Sequence, residues 1–223
     1  MPHLLELFSG TGSVGKVFKA AGWKVTSVDI LPRFEPTLEM SVLDLEVSDI
    51  QGGDDAATID LMWASPPCTH YSRARTTAKT PRDLEGSDRM VQKCLDLARE
   101  LGCLFFMENP HSGMLKDRAV VAGLPYRVVD YCKYADERFQ HRARKRTAIW
   151  TNAEWHPERP LCQHDCGHCE GKRHLDHAQQ RDASGRAHHT RDQLYAIPPA
   201  LVEDIFRWAS HDNNNDNDNN NNT

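Results

Sequence analysis

The chain has 223 residues, 39% of them hydrophobic, and a formal net charge of −5. That length and apolar content suit one α/β domain with a small insertion, and no stretch approaches the roughly 18 apolar residues of a membrane span. Without Asp212, Asp216 and Asp218 of the tail the charge is −2, a near-neutral balance that neither requires nor excludes a nucleic-acid partner.

Residues 3–8 read as a short buried strand, broken by Ser9-Gly10-Thr11-Gly12. Val14, Val17, Phe18 and Ala21 then follow helical spacing, and Gly22 closes that helix. A second strand is expected over 25–28, ending at Asp29, and a third over 41–45 with Asp44 near its end. Residues 59–64 form the fourth. A helix follows over 87–101, with Val91, Leu95, Ala98 and Leu101 on one face, and further strands are expected over 104–107, 126–131 and 147–150. Strands alternating with helices imply βαβ units and a mostly parallel sheet.

After Trp150 the character changes. Residues 152–190 are rich in His, Cys, Arg and Asp and poor in aliphatic side chains, so they can build little core. An amphipathic helix is expected over 198–209, with Pro198 and Pro199 at its start. The last residues are nearly all Asn and Asp and have nothing to bury. The expected organisation is a cofactor-binding and catalytic domain over 1–150, an insertion over 151–191, a helix returning to the domain over 192–210, and a disordered tail over 211–223. The N-terminal residues show no basic region with a cleavage site, and the seven cysteines are odd in number. Reduced thiols and an intracellular location are therefore expected.

The glycine loop lies between the first strand and the first helix, where the backbone can approach a ligand and the helix offers free N–H groups. Asp29, at the end of the next strand, can accept both hydroxyls of a ribose. This pairing predicts an adenosine-containing cofactor. A second reading is a triphosphate: Gly10 to Lys16 matches G-x-x-x-x-G-K, with Val17 where a metal-binding Ser or Thr is needed, and Glu108 as a distant acidic partner.

Two strand-end motifs carry the chemistry. Cys68 stands in Ser65-Pro66-Pro67-Cys68, on a loop made rigid by its prolines. Arg73 and Arg75 follow and would favour its thiolate. Glu108-Asn109-Pro110 ends the next strand; Glu108 follows five uncharged residues, so burial would raise its pKa and suit it to donate a proton. In an open α/β sheet both ends face one crevice.

In these residues the chain resembles the cytosine-C5 DNA methyltransferases. Leu7-Phe8-Ser9-Gly10-Thr11-Gly12, Asp29, Pro67-Cys68 and Glu108-Asn109 are similar to the family's motifs in the family's order. Arg142, Arg144 and Arg146 fall where the family has Gln-x-Arg-x-Arg. Gln140-His141-Arg142-Ala143-Arg144 fits it literally, and a shift of two residues puts Arg144 and Arg146 on it instead. The resemblance implies a Rossmann-like methyltransferase sheet with a small Cys/His-rich insertion. It implies S-adenosylmethionine held by Phe8, Gly10, Gly12, Asp29, Asp44 and Pro66, and catalysis by Cys68, Glu108, Asn109 and Arg144. Cys68 would add to C6 of a flipped cytosine while Glu108 holds N3 and C5 takes the methyl group. DNA is the expected partner and RNA a second, since these motifs do not distinguish them; oligomeric state is not indicated. An alternative from another class is a non-catalytic, zinc-supported nucleic-acid-binding module on the same fold. Thr69 stands where the family often has Gln, and the Gly-Asn half of its last motif is absent before Pro198-Pro199-Ala200-Leu201. The compact chain and Asn-rich tail suggest a phage or large-virus gene.

Cys162-x3-Cys166-x2-Cys169 and His174 have spacings suited to tetrahedral zinc; the alternative is an exposed insert with reduced cysteines. Arg138, Arg142, Arg144, Lys145 and Arg146 form one basic cluster, and Arg73, Arg75, Lys79 and Arg82 a second. Both are expected to flank the crevice, with Arg73, Arg142 and Arg146 as phosphate contacts.

Overall fold

The computed structural model describes residues 1–51, 58–76, 78–139, 142–177 and 189–219. Strand β1 (His3–Leu7) leads through the glycine loop to helix α1 (Ser13–Ala20), then β2 (Lys24–Asp29) and the short β3 (Leu38–Glu39). Helix α2 (Val47–Gln51) precedes β4 (Leu61–Ala64), followed by α3 (Leu84–Leu101) and β5 (Leu104–Pro110). Next come β6 (Tyr126–Asp130), α4 (Tyr131–Tyr134) and β7 (Arg146–Thr151). The remainder holds a small hairpin, β8 (Cys169–Glu170) and β9 (Arg173–His174), then α5 (Arg191–Tyr195) and α6 (Pro199–Asn219).

The strands form one seven-stranded sheet in the order β3-β2-β1-β4-β5-β7-β6. Strands β1 to β5 pair in parallel, and β7 runs antiparallel to both neighbours. This is the Rossmann-like methyltransferase sheet, with β7 its one reversed strand. The chain winds outward from β1 in one direction and from β4 in the other. Their adjacent C-terminal ends form the crevice where such sheets bind ligands.

Alternation along the strands sorts side chains to two cores. Leu5, Leu7, Met62, Ala64, Phe105 and Met107 face a layer with Val91, Cys94, Leu97 and Ala98 of α3. Leu4, Leu61, Trp63 and Phe106 face a layer with Val14 and Phe18 of α1, Trp155, and Leu201, Val202 and Ile205 of α6. Because helices cover both faces, the central strands are buried on both sides, which is why they read as continuous apolar runs.

The third strand differs from expectation. Residues 41–45 are not a strand: Val42–Asp44 is a 3₁₀ turn, begun by the Ser41 hydroxyl accepting the Leu43 N–H. Val42 and Leu45 are buried from that turn instead. The sheet edge is made by Leu38–Glu39 against Val28 and Asp29. Strand β5 runs three residues beyond its apolar core, since Glu108, Asn109 and Pro110 stay in register with Ile149, Ala148 and Thr147. The insertion does contribute to the core, through Ala153 and Trp155. Trp155 is fully buried and its indole N–H donates to Asp204 of α6 at 2.9 Å, where Tyr134 also donates at 2.8 Å. The α6 backbone continues to Asn219, into the Asn/Asp stretch. Among the described residues no helix is long and apolar enough to cross a membrane.

Candidate active site

A cavity of about 260 Å³ opens at the C-terminal ends of β1 and β4. Phe8, Ser9 and Gly10 line it from the glycine loop, Asp29 from β2, Pro66, Pro67 and Cys68 from the loop after β4, and Glu108 from β5. The sheet thus brings together the glycine loop, its acidic partner and both strand-end motifs.

The glycine loop is held by its backbone. Gly10 and Gly12 have φ of 49° and 68°, a region that favours glycine, and Phe8 adopts φ 56° although it has a side chain. The Asp29 carboxylate accepts the Gly10 N–H at 2.8 Å and the Leu31 N–H at 2.9 Å. Each oxygen keeps one lone pair, so Asp29 can fix the loop and still accept from a ligand. Gly12 caps α1 and does not line the cavity.

Glu6, in the middle of β1, escaped the sequence reading. It is 3% exposed, and its carboxylate accepts the Val14 and Gly15 N–H groups at 3.2 and 3.1 Å. Burial pushes its carboxyl up to about 7, against the lowering effect of those two donors. Gly15 leaves room for this carboxylate: a Cβ there would lie 2.5 Å from the Glu6 Oε2 and would displace it. The start of α1 is therefore occupied by a protein carboxylate. The triphosphate alternative loses the helix N-terminus it needs, and Lys16 is exposed and outside the cavity lining.

The two motifs are tied to each other. The Asn109 amide donates to the Pro66 carbonyl at 2.9 Å, both residues being buried. Asn109 thus fixes the loop that presents Cys68. Glu108 is 6% exposed; its Oε1 accepts the Tyr131 hydroxyl at 3.1 Å and lies 3.4 Å from the Lys145 ammonium. Lys145 also sits 4.8 Å from the centre of the Tyr131 ring. Burial raises the Cys68 thiol above its ordinary range, the Glu108 charge raises it further, and Lys145 opposes both.

The cation beside Cys68 is therefore Lys145. Arg73 pairs with Asp117 at 3.1 Å and Arg75 bonds to Thr80, and neither lines the cavity. Arg144 and Arg146 also lie outside the lining; both reach the fully buried Asp130 carboxylate, at 3.3 and 2.8 Å. Burial pushes Asp130 up, but Arg146, the Cys162 N–H and Arg144 outweigh it and hold the carboxyl below its usual range. Arg142 places its guanidinium 3.4 Å from His168, and Arg138 pairs with Asp136 and Glu203. Much of the expected basic surface is thus engaged with protein groups. Gln140 and His141 lie outside the described residues. Asp44 is exposed and does not line the cavity.

The Cys/His ligand set also differs from the expected one. Ligand atoms of Cys132, Cys162, Cys166 and His174 all lie within 4.8 Å of one another; Cys169 instead groups with His164 and His174. Cys132 comes from α4, thirty residues before Cys162, too far in sequence to read as part of the cluster.

No family model matches the chain. It is 29% identical to a Frog virus 3 (isolate Goorha) protein described as "Probable DNA (cytosine-5)-methyltransferase", covering 91% of this chain and 98% of that protein. Among solved structures, a candidate DNA modification methyltransferase from an Escherichia coli prophage is 19% identical, covering 68% of this chain and 46% of that one, with a TM-score of 0.49. The Schizosaccharomyces pombe methyltransferase Dnmt2 is 18% identical, covering 71% of this chain and 53% of its own, with a TM-score of 0.44. The chain spans about half the length of these two structures. Along nearly its whole length the chain is similar to a protein described as a probable DNA (cytosine-5)-methyltransferase.

Proposed function

We propose that the protein transfers a methyl group from S-adenosylmethionine to C5 of cytosine in DNA, through a covalent bond between Cys68 and C6 of a flipped-out base. The observation that carries this reading is the shared cavity: Cys68 and Glu108 line the same space as the glycine loop and Asp29.

The cofactor fits the residues present. Gly10 lets the loop approach closely, Asp29 has lone pairs for ribose hydroxyls, and Ile30 and Leu31, 64% and 44% exposed, offer apolar surface for a purine. The Glu6 carboxylate on α1 disfavours a phosphate-rich ligand. When bound, S-adenosylmethionine would supply an electrophilic methyl group, the methyl–sulfonium bond breaking with its electron pair left on the departing thioether sulfur.

The protein's own side chains do the rest. The Cys68 thiolate forms a bond to C6, and the electron pair displaced from the C5–C6 double bond makes C5 nucleophilic. Glu108, sharing a proton with N3 across a hydrogen bond, takes up part of that charge, while Lys145 places a positive charge beside both groups. C5 gains the methyl group. Loss of the C5 proton to a solvent base restores the double bond and breaks the Cys68–C6 bond. The target atoms are inaccessible in a stacked duplex, so the base must leave the helix.

The test is transfer of labelled methyl from S-adenosylmethionine to duplex DNA and to RNA, followed by location of the modified base. The expected result is 5-methylcytosine in DNA, abolished by Cys68→Ser with cofactor binding retained. Label confined to RNA would move the activity to that substrate, and transfer to neither would overturn the reading.

A further inference from the structure

We propose a structural zinc site formed by Cys132, Cys162, Cys166 and His174, joining the inserted segment to the catalytic wall. It does not depend on the proposed reaction. Three thiols and an imidazole, from α4, the loop after Trp155 and strand β9, meet with all ligand atoms within 4.8 Å of one another. The Cys162 Sγ lies 3.4 Å from the His174 Nε2. Zinc–sulfur and zinc–nitrogen bonds of about 2.3 and 2.0–2.1 Å at a tetrahedral angle predict a separation of ~3.6 Å.

Burial supports a bound ion. Cys132, Cys162 and His174 are 1%, 3% and 6% exposed, and all seven cysteines are free. Buried polar groups require partners, and a metal supplies one to all four ligands together. The sequence here is poor in aliphatic residues, so a metal offers a closure that a core cannot. Gly167 and Gly171, with φ of 78° and 56°, permit the tight turns that carry Cys166 and the β8–β9 hairpin into place.

The position gives the ion a consequence. Cys132 follows Tyr131, whose hydroxyl donates to Glu108. Cys162 donates its backbone N–H to Asp130 at 3.0 Å, the carboxylate that also holds Arg144 and Arg146. The ion would therefore lock the insertion against the residues that position Glu108, with Tyr131 as a positioning residue.

Cys169, 3.5 Å from the Cys166 sulfur, is the rival ligand, and the experiment separates the two sets. Purified full-length protein from zinc-supplemented medium is assayed for metal, and the zinc is then replaced by Co²⁺ to read thiolate charge-transfer and tetrahedral ligand-field bands. One equivalent of zinc and a tetrahedral cobalt spectrum of three thiolates are expected. Cys169→Ser should retain one equivalent and Cys132→Ser should lose it. Because Cys132 is buried and its variant could fail to fold, the wild-type stoichiometry and cobalt spectrum stand as an independent reading. Wild-type protein without stoichiometric zinc or a tetrahedral cobalt spectrum would overturn the site. So would loss of zinc in Cys169→Ser with retention in Cys132→Ser, which would shift it to the hairpin set.

Discussion

The Glu6 carboxyl makes a prediction about stability that runs opposite to the usual acid denaturation. Its folded pKa is about 7 against an ordinary 4.5, because burial outweighs the Val14 and Gly15 N–H donors. At about 1.4 kcal/mol per pH unit, that difference amounts to about 3 kcal/mol. The folded state binds this proton more tightly than the unfolded state. The contribution is therefore fully present below pH 4.5 and is lost as pH rises through 7. Glu6→Gln removes the titration but keeps the shape. Its amide offers one acceptor to two N–H groups, a pH-independent penalty of about 1–3 kcal/mol. Denaturant unfolding of both proteins at intervals between pH 4.5 and 8 isolates the effect. The stability of wild type relative to Glu6→Gln should fall by about 3 kcal/mol across that range. A constant difference, or one that grows with pH, would refute the reasoning.

Three further predictions concern the proposed site and the residues that support it. Lys145→Met should move the midpoint of the pH–rate profile for Cys68 alkylation upward and Glu108→Gln should move it downward, since Lys145 lowers and Glu108 raises the thiol; unchanged midpoints would remove Lys145 from the site. Asn109→Ala breaks the buried bond to the Pro66 carbonyl and should cost about 1–3 kcal/mol in denaturant unfolding, with a loss of activity larger than any loss of cofactor affinity. Asp130→Asn deprives Arg144 and Arg146 of their common partner. With both guanidiniums about one-third exposed, the cost should sit near the low end of the buried-pair range, about 3 kcal/mol.

The sheet was legible because parallel strands buried on both faces write themselves as apolar runs, and because glycine and proline mark their ends. Residues 41–45 misled because Val42, Leu43 and Leu45 make a short apolar run, with Leu43 and Leu45 at strand-like spacing, while the Ser41 cap makes them a turn. Cys68, Glu108, Asn109 and Asp29 could be found because each stands at or near a strand end. Glu6 could not be assigned from the sequence, although a charge inside the run His3–Leu7 was a signal that something buried must receive it. Lys145 was hidden between two arginines, and only the folded positions of the side chains show that it, and neither of them, reaches Glu108. Cys132 entered the metal cluster through the return of the chain from β7, a tertiary contact with no counterpart in local spacing.

The central claim is that Cys68 attacks C6 of cytosine. The most direct measurement uses duplex DNA in which cytosines are replaced by 5-fluorocytosine, incubated with the protein and S-adenosylmethionine, then digested and mapped by mass spectrometry. Fluorine at C5 cannot leave as a proton does, so the Cys68–C6 bond cannot break after methyl transfer. The predicted result is a peptide carrying Cys68 linked to the methylated base. No covalent complex, or one formed through another residue, would contradict the account.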